Sequence, residues 1–598
     1  MKELLNNFRR TRHFLAGTKA YFRDVVLVHL LIIFVLTPFL ASTTQFILNQ
    51  GGIAYISYDN FGDILIHHPL VFIGLISILL LMILLVFFEF TFLIQSIYFI
   101  QIRQPVSLKQ LIYGTFQQVK KLNLGKIVFF FFYFFLILPI SGIKFNTELL
   151  SKLEIPTFIL DVIFENRVPI IALVIASYIL LVYLAIRLIF ALPEMIFNDC
   201  GFKEAIQKSW RETKNNFLRI LMQFAVIMGS ISLLTVLSYT LIIFLQAFIE
   251  TSFTSYSLTS ATVLMTIMQF VWLLNTVLST VGIFFVIIDY MENHHFLPKP
   301  PRWYRLESKA TTRFKWFKIG ATLILFIGLF ATIGLANQDY LKQPGQDHPL
   351  TISHRGVDNQ NAVQNSIEAL KLTHETSQPD YVEMDIQETK DHQFVVYHDF
   401  KLKALTGIPK KPYEMNLADL TKLTVTEKGQ SARLVSFDDY LKVANEIGQK
   451  LLIEFKTTKH DSPDMVKRFT EMYREKILEN GHIFQALDFD IVEKLKLEGS
   501  NFYVGYVMPF SIVGPPKGLM DFYSIEYTTL NTNFITSAHN ENKKVYVWTP
   551  NDEDTMSRMM FYGVDGIITD RVKLLSKVMR QDQVSYSDKM LYLLIGIG

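Results

Sequence analysis

The chain has 598 residues, too many for one ordinary domain, and 51% of them are hydrophobic. A net charge of +3 argues for no polyanion partner and against nucleic-acid binding. The single cysteine, Cys200, excludes an intrachain disulfide.

Up to about residue 336 the sequence is a succession of apolar runs. Runs of about 18 or more apolar residues read as membrane-spanning helices. Seven are expected, near 25–47, 70–94, 126–143, 168–192, 220–248, 262–289 and 317–336. The first is too long and too late for a signal peptide. The N-terminal segment (Lys2, Arg9, Arg10, Arg12, Lys19, Arg23) and the segments 95–125, 193–219 and 290–318 are basic. The loops 48–69 and 249–261 carry no Lys or Arg, and 144–167 is mixed. This alternation predicts a cytoplasmic N-terminus, and seven crossings then place everything after residue 336 outside the cell. Glu89 and Arg187 fall inside the second and fourth runs at similar expected depth. Buried charge there is costly, so the two either pair or reach for the cytoplasmic interface. The stretch Ala205 to Leu218 has helical apolar spacing and reads as an inner-leaflet helix or an ordinary loop helix.

Beyond the apolar half, residues 337–350 read as a linker, 351–580 as a soluble domain and 581–598 as a tail. In the soluble domain, short apolar strands alternate with helical stretches, the pattern of a parallel α/β fold. Nine strands are expected, at 351–354, 381–386, 394–398, 451–456, 483–487, 502–508, 522–526, 545–549 and 565–569. Only Gln387 to Gln393 separate the second from the third, too few for a parallel crossover. These two therefore form an antiparallel hairpin, and the other eight fit a (β/α)8 TIM barrel. A turn centred between Asp391 and His392 would set Asp385 opposite His398.

Five motifs punctuate this domain: His354-Arg355-Gly356, Glu383-x-Asp385, His398-Asp399, Glu454-x-Lys456 and Trp548-Thr549. His354, Asp385, Glu454 and Trp548 all lie at strand C-terminal ends, where barrel active sites form. The period of two puts Glu383 and Asp385 on one face, and likewise Glu454 and Lys456. Two histidines, three carboxylates and two cations are the groups that metal-assisted attack on a phosphodiester requires. His374, His460, His482 and His539 lie off the motifs and read as surface or packing residues. Asp399 reads as a supporting or capping group, and Asp565 and Asp570 as shapers of the last strand and loop.

The ordered series "ISHRG", "VEMDIQETKD", "FVVYHD", "LLIEFK", "VYVWTPN" and "GVDGIITD" resembles the glycerophosphodiester phosphodiesterase family over nearly all of residues 351–572. The apolar half is similar to the membrane domain that precedes this enzyme domain in a subset of bacterial members. The resemblance implies His354 and His398 as the acid/base pair and Glu383, Asp385 and Glu454 as metal ligands. An all-oxygen carboxylate set suits a hard cation, Ca2+ or Mg2+. Arg355 and Lys456 would hold phosphate oxygens, and Trp548 would pack on the glycerol moiety. The implied reaction is attack by the glycerol 2-hydroxyl, then opening of a cyclic phosphate by water, leaving glycerol 3-phosphate.

Departures from the family pattern cluster around the rim. Gln364-Asn365-Ser366 replaces the usual Glu-Asn-Thr or Glu-Asn-Ser. Lys403-Ala404-Leu405-Thr406 stands before Gly407, where the family usually carries an Arg-Thr-Thr-like run. Ala486-Leu487 and Trp548-Thr549-Pro550-Asn551 also differ from the usual residues. Expected substrates are glycerophosphodiesters from lipid headgroups, or glycerol-phosphate polymers such as teichoic acids. A phospholipase working on the lipid bilayer is a further reading, as is a non-catalytic ligand-binding or transport-associated module. The run Leu591 to Ile595 could dock on a membrane or pack on the barrel. Protein partners are left open by the sequence.

Overall fold

The computed structural model describes residues 14, 24–26, 28, 31–53, 61–137, 167–301, 303–305, 312–343, 345, 348–499, 501–509, 514–580 and 584–597. The chain divides into two compact units, the first running to Leu341 and the second from Lys342 to Ile597.

In the first unit the apolar runs are helices, the one open conformation that satisfies its own backbone groups away from water. Among the described residues, four helical stretches are long and apolar enough to cross a membrane: Pro69–Gln101, Ile175–Phe197, Phe217–Ser252 and Thr254–Asn293. The third expected run holds the shorter helix Leu124–Ile137. The first and last hold the helices Thr37–Gln50 and Thr312–Lys342. The last helix thus continues into the expected linker. The basic N-terminal residues, most of the loop 144–167, and parts of the first and third runs lie outside the described residues.

Some polar groups inside this unit pair with one another. Gln223 Nε2 donates to Asp289 Oδ2 at 3.0 Å, and Thr235 Oγ1 donates to Asn275 Oδ1 at 2.9 Å. Glu89 and Arg187 are both buried. The Arg187 guanidinium lies 4.3 Å from the centroid of Trp210 and 5.9 Å from that of Tyr183, so aromatic faces accommodate the cation. Trp210 belongs to the helix Phe202–Thr213, which buries Ala205, Ser209 and Thr213. Ser209 Oγ donates to the Arg187 carbonyl at 2.8 Å. The amphipathic stretch therefore turns its small-residue face onto the preceding helix.

Among the described residues the second unit has twelve strands: β1 (Leu350–Ser353), β2 (Tyr381–Glu388), β3 (Phe394–Val396), β4 (Thr424–Glu427), β5 (Gln430–Arg433), β6 (Val435–Ser436), β7 (Leu451–Phe455), β8 (Ile483–Ala486), β9 (Val504–Met508), β10 (Phe522–Glu526), β11 (Lys544–Trp548) and β12 (Gly566–Thr569). Parallel pairing runs β1-β2-β7-β8-β9-β10-β11-β12 and returns to β1, closing an eight-stranded barrel. Strands such as β7, Leu-Leu-Ile-Glu-Phe, are buried along their whole length. That continuity is what a parallel sheet covered on both faces demands. Ile352, Leu452, Ile483, Phe522, Tyr546 and Ile568, from six different strands, form one interior cluster.

The hairpin of β2 and β3 is antiparallel, as expected, but its register differs by one residue. Ile386 pairs with Val396 and Glu388 with Phe394, and Tyr397 N donates to the Asp385 carbonyl at 3.0 Å. Asp385 therefore faces Tyr397, not His398. The cause is a three-residue loop, Lys390 to His392, closed by Thr389 N donating to the Gln393 carbonyl at 2.9 Å. His392 takes a left-handed conformation (φ 57°), the device that ends such a loop. An odd loop changes the parity of every pair behind it. Strands β4, β5 and β6 were not expected. β4 and β5 form a separate, largely exposed hairpin, and β6 pairs with β3.

The C-terminal helix Tyr586–Ile597 packs within this unit. Met590 and Tyr592 are buried, and Tyr562 Oη donates to the Tyr592 carbonyl at 3.0 Å.

Candidate active site

The motif residues lie on or just after β1, β2, β3, β7 and β11, towards the C-terminal ends of the barrel strands. Directly after β1 the chain makes a tight turn, His354–Gly356, with Arg355 at φ 51° and Gly356 at φ 74°. A Cβ at Gly356 would sit 3.1 Å from Tyr440 Oη. Glycine thus supplies both the backbone freedom and the clearance. The turn aims Arg355 N at Glu383 Oε2, 2.8 Å away. The Arg355 guanidinium donates to Gln364 Oε1 at 2.6 Å, and its Nε lies 3.8 Å from Asp385 Oδ2.

Glu383 and Asp385 lie on β2 and Glu454 on β7, all buried. Asp385 and Glu454 are direct partners in the register. One oxygen from each of the three carboxylates lies within 4.8 Å of the others. Like charges this close, away from water, repel strongly unless a cation intervenes. Lys456 supplies one: Nζ is 3.5 Å from Asp385 Oδ1 and contacts Glu454 Oε1.

Burial pushes the Glu383 carboxyl well above its ordinary range, and the charges of Asp385 and Glu454 push it further. Burial would raise Asp385 too, but His398, Lys456 and Arg355 outweigh it and hold Asp385 well below the usual carboxylate range. Burial would lower Lys456, but Glu454 and Asp385 hold it charged.

The cluster fits a divalent cation. Asp385 Oδ1 is buried and accepts no hydrogen bond, and all three side chains offer oxygen. Lys456 and Arg355 set two cationic side chains beside three carboxylates. Neighbouring amides take the outer lone pairs. Asn365 Nδ2 donates to Asp385 Oδ2 at 2.8 Å, and Gln485 Nε2 donates to Glu454 Oε2 at 2.7 Å.

Each histidine has its own carboxylate. His354 Nδ1 lies 2.8 Å from Asp570 Oδ1, and His398 Nδ1 lies 2.8 Å from Asp399 Oδ1. Asp570 sits just past β12, and Asn551 Nδ2 donates to its other oxygen at 2.7 Å. Burial would raise Asp570, yet the charge and hydrogen bond of His354 bring it down to about 2. Burial lowers His398, and Asp385 partly opposes that. Gln387 Nε2 donates to the carbonyls of Tyr397, His398 and Asp399 at 2.8, 3.2 and 3.0 Å, fixing the backbone that carries this histidine.

Trp548 ends β11, half-buried, with Nε1 donating to the Ser524 carbonyl at 3.1 Å. It packs on the interior cluster named above while standing at the rim. His374, His482 and His539 are engaged away from this site, with Gln449, Asn445 and Asp565 respectively.

Sequence reasoning missed Asn365, Gln387, Gln485 and Asn551, neutral amides that no metal or acid/base pattern marks. It also read Asp570 as a loop shaper. Its place at the end of the last strand, where the barrel closes onto β1, was the available signal.

The family described as the membrane domain of glycerophosphoryl diester phosphodiesterase matches residues 8–332. The glycerophosphoryl diester phosphodiesterase family matches residues 354–502 and 515–574. The chain is 25% identical over 240 residues to a glycerophosphodiester phosphodiesterase of Caldanaerobacter subterraneus subsp. tengcongensis, covering 39% of this chain and 98% of that protein. It is 23% identical over 292 residues to one of Bacillus subtilis, covering 44% of this chain and 97% of that protein. A solved phosphodiesterase of Oleispira antarctica, in complex with the product sn-glycerol-3-phosphate, aligns at 18% identity and a TM-score of 0.35, covering 39% of this chain and 97% of that one. A glycerophosphodiester phosphodiesterase structure from Parabacteroides distasonis aligns at 23% identity and a TM-score of 0.34, covering 39% and 98%. With both halves matched in order, the chain belongs to the glycerophosphoryl diester phosphodiesterase family, as an enzyme that joins the family's membrane domain to its TIM-barrel phosphodiesterase domain.

Proposed function

We propose that this enzyme hydrolyses glycerophosphodiesters to glycerol 3-phosphate and an alcohol, using a divalent cation and His354 and His398 as acid and base. The observation that carries this reading is the convergence of two Asp-paired histidines on a buried three-carboxylate cluster flanked by Arg355 and Lys456. Glu383, Asp385 and Glu454 would hold the ion, Ca2+ or Mg2+ by the hardness of the donors. When bound, it would supply positive charge beside the phosphate and the attacking hydroxyl.

Arg355 and Lys456 bind the nonbridging phosphate oxygens and gain as charge builds on them. One histidine removes the proton of the glycerol 2-hydroxyl as its oxygen bonds to phosphorus. The other protonates the departing alcohol oxygen as the old P–O bond breaks. Water then adds to the cyclic phosphate with the two roles reversed. Asp570 and Asp399 orient the imidazoles throughout. Trp548, at the rim, offers a flat apolar face to the glycerol carbons. A purely ligand-binding module would need none of this acid/base apparatus.

The reading takes the seven apolar runs as a multi-pass membrane domain ending near Lys342, with the catalytic barrel from 351 to 580. The loop charges support a cytoplasmic N-terminus and an extracellular barrel. A cysteine introduced at exposed Lys459 should react with an impermeant thiol reagent on intact cells, because the sole native cysteine is buried. Protection of that cysteine until cells are opened would reverse the orientation. For the chemistry, His354→Ala should abolish turnover while divalent-cation affinity stays. Turnover that survives the substitution would remove His354 from the mechanism.

A further inference from the structure

The net charge of +3 conceals a local excess at the barrel rim. Residues 400–413 contain Lys401, Lys403, Lys410 and Lys411 and no Asp or Glu. This segment starts directly after the His398–Asp399 pair. Leu402 N donates to the Lys410 carbonyl at 2.9 Å, drawing its two ends together. A second loop leaves Lys456 and carries Lys459 and His460. The two loops are joined: the rings of Tyr413 and His460 stack with centroids 4.3 Å apart, and Lys411 Nζ donates to Tyr413 Oη at 2.8 Å. These contacts tie the segment that follows the His398–Asp399 pair to the loop that follows Lys456.

These lysines differ from others on the same unit. Lys422, Lys544 and Lys577 are neutralised by carboxylates at 3.0, 2.8 and 2.6 Å. Lys401, Lys403, Lys410 and Lys459 are exposed, and among the described residues none has a carboxylate within 4.0 Å. A monomeric diester brings a single phosphate, which Arg355 and Lys456 already hold, and leaves this strip nothing to bind. A chain with one phosphate per repeat presents further anions beyond the scissile one.

We propose that the strip Lys401, Lys403, Lys410 and Lys459 is a binding track for a linear polymer of glycerol-phosphate diesters. The cleaved diester sits at the carboxylate cluster, and the neighbouring phosphates of the same chain lie along the lysines. The inference rests on the phosphodiesterase reading above and narrows its substrate class. It departs from the expectation, drawn from net charge, of no polyanion partner. A bilayer surface is the competing occupant, because Phe400, 49% exposed, stands beside Lys401.

The test compares the full-length protein in neutral detergent with the variant Lys401→Ser/Lys403→Ser/Lys410→Ser/Lys459→Ser. The substrates are glycerophosphocholine and poly(glycerol phosphate). The variant should keep its kcat/KM on glycerophosphocholine within about twofold and lose about tenfold or more on the polymer, since each lost lysine removes one phosphate contact and its counterion release. Raised salt should slow the wild type on the polymer far more than on glycerophosphocholine. Equal effects on both substrates, or none on either, overturn the track. An effect seen only on lipid substrates in anionic nanodiscs assigns the strip to the bilayer and also overturns it. Failure of the wild type to cleave either substrate is a different result, which removes the phosphodiesterase reading itself.

Discussion

His354 Nδ1 lies 2.8 Å from Asp570 Oδ1, so the segments that follow the first and last barrel strands are joined by one hydrogen bond across 216 residues of sequence. The second oxygen of Asp570 already accepts from Asn551, and the group is ionised down to about pH 2. As a pure acceptor, Asp570 requires the proton of neutral His354 to sit on Nδ1. That leaves Nε2 as the nitrogen able to exchange protons with substrate. Asp570→Asn can present an amide donor there and favour the other tautomer. The expected result is a fall in kcat of roughly 10²–10⁴ with a smaller change in KM, by analogy with other carboxylate–histidine pairs. Steady-state kinetics against pH checks this, and equal loss through KM alone would contradict it.

Asn365 is the clearest positioning residue for the proposed cation site. It takes a left-handed conformation, φ 58°, while its side chain donates to Asp385 Oδ2 at 2.8 Å and accepts from Asp385 N at 3.3 Å. Its own N–H donates to the Arg355 carbonyl at 2.8 Å. One buried amide thus ties the arginine turn to β2 and leaves Asp385 Oδ1 without a hydrogen bond. Asn365→Ala should weaken divalent-cation affinity by about 10–100-fold, the usual cost of losing a group that orients a ligand. Calorimetric titration of the cation would show it. Unchanged affinity with lowered activity would place the role of Asn365 elsewhere.

His482 should give the barrel an acid-side stability slope independent of catalysis. Burial pushes its pKa down from 6.5 to about 4. Leu451 N donates to Nδ1 at 2.9 Å, so the ring proton is on Nε2 and faces Asn445 Oδ1 at 2.8 Å. Protonating Nδ1 would set two N–H groups against each other. The folded pKa is below the unfolded one, so this contribution is fully present above about pH 6.5. It is lost as pH falls towards about 4, for a total of about 3 kcal/mol, because the unfolded chain takes the proton first. Unfolding followed between pH 4 and 7 should show the slope, and His482→Gln should flatten it while lowering stability at pH 7. An unchanged slope in the variant would rule His482 out as its source.

The parts of this structure that were legible in the sequence share a physical basis. Apolar run length marked the helices of the membrane unit. Strand alternation and the shortness of Gln387 to Gln393 separated the hairpin from the eight barrel strands. Charged and titratable residues at strand ends marked His354, Glu383, Asp385, His398, Glu454 and Lys456. What escaped carries no such mark. The left-handed turn residue His392 shifts the hairpin register by one, and alternation records apolar faces but not loop parity. Asn365, Gln387 and Gln485 act through hydrogen bonds that exist only once distant segments meet. The strand pair β4 and β5 is mostly polar and exposed, so no buried stripe announces it. The rim lysines vanish into a net charge averaged over the whole chain.

The most direct test of the account is release of glycerol 3-phosphate from glycerophosphocholine by the purified full-length protein. Release should require added Ca2+ or Mg2+, stop with a chelator, and disappear on Glu383→Gln. No release with cation bound, or release indifferent to chelation and to Glu383, would contradict it.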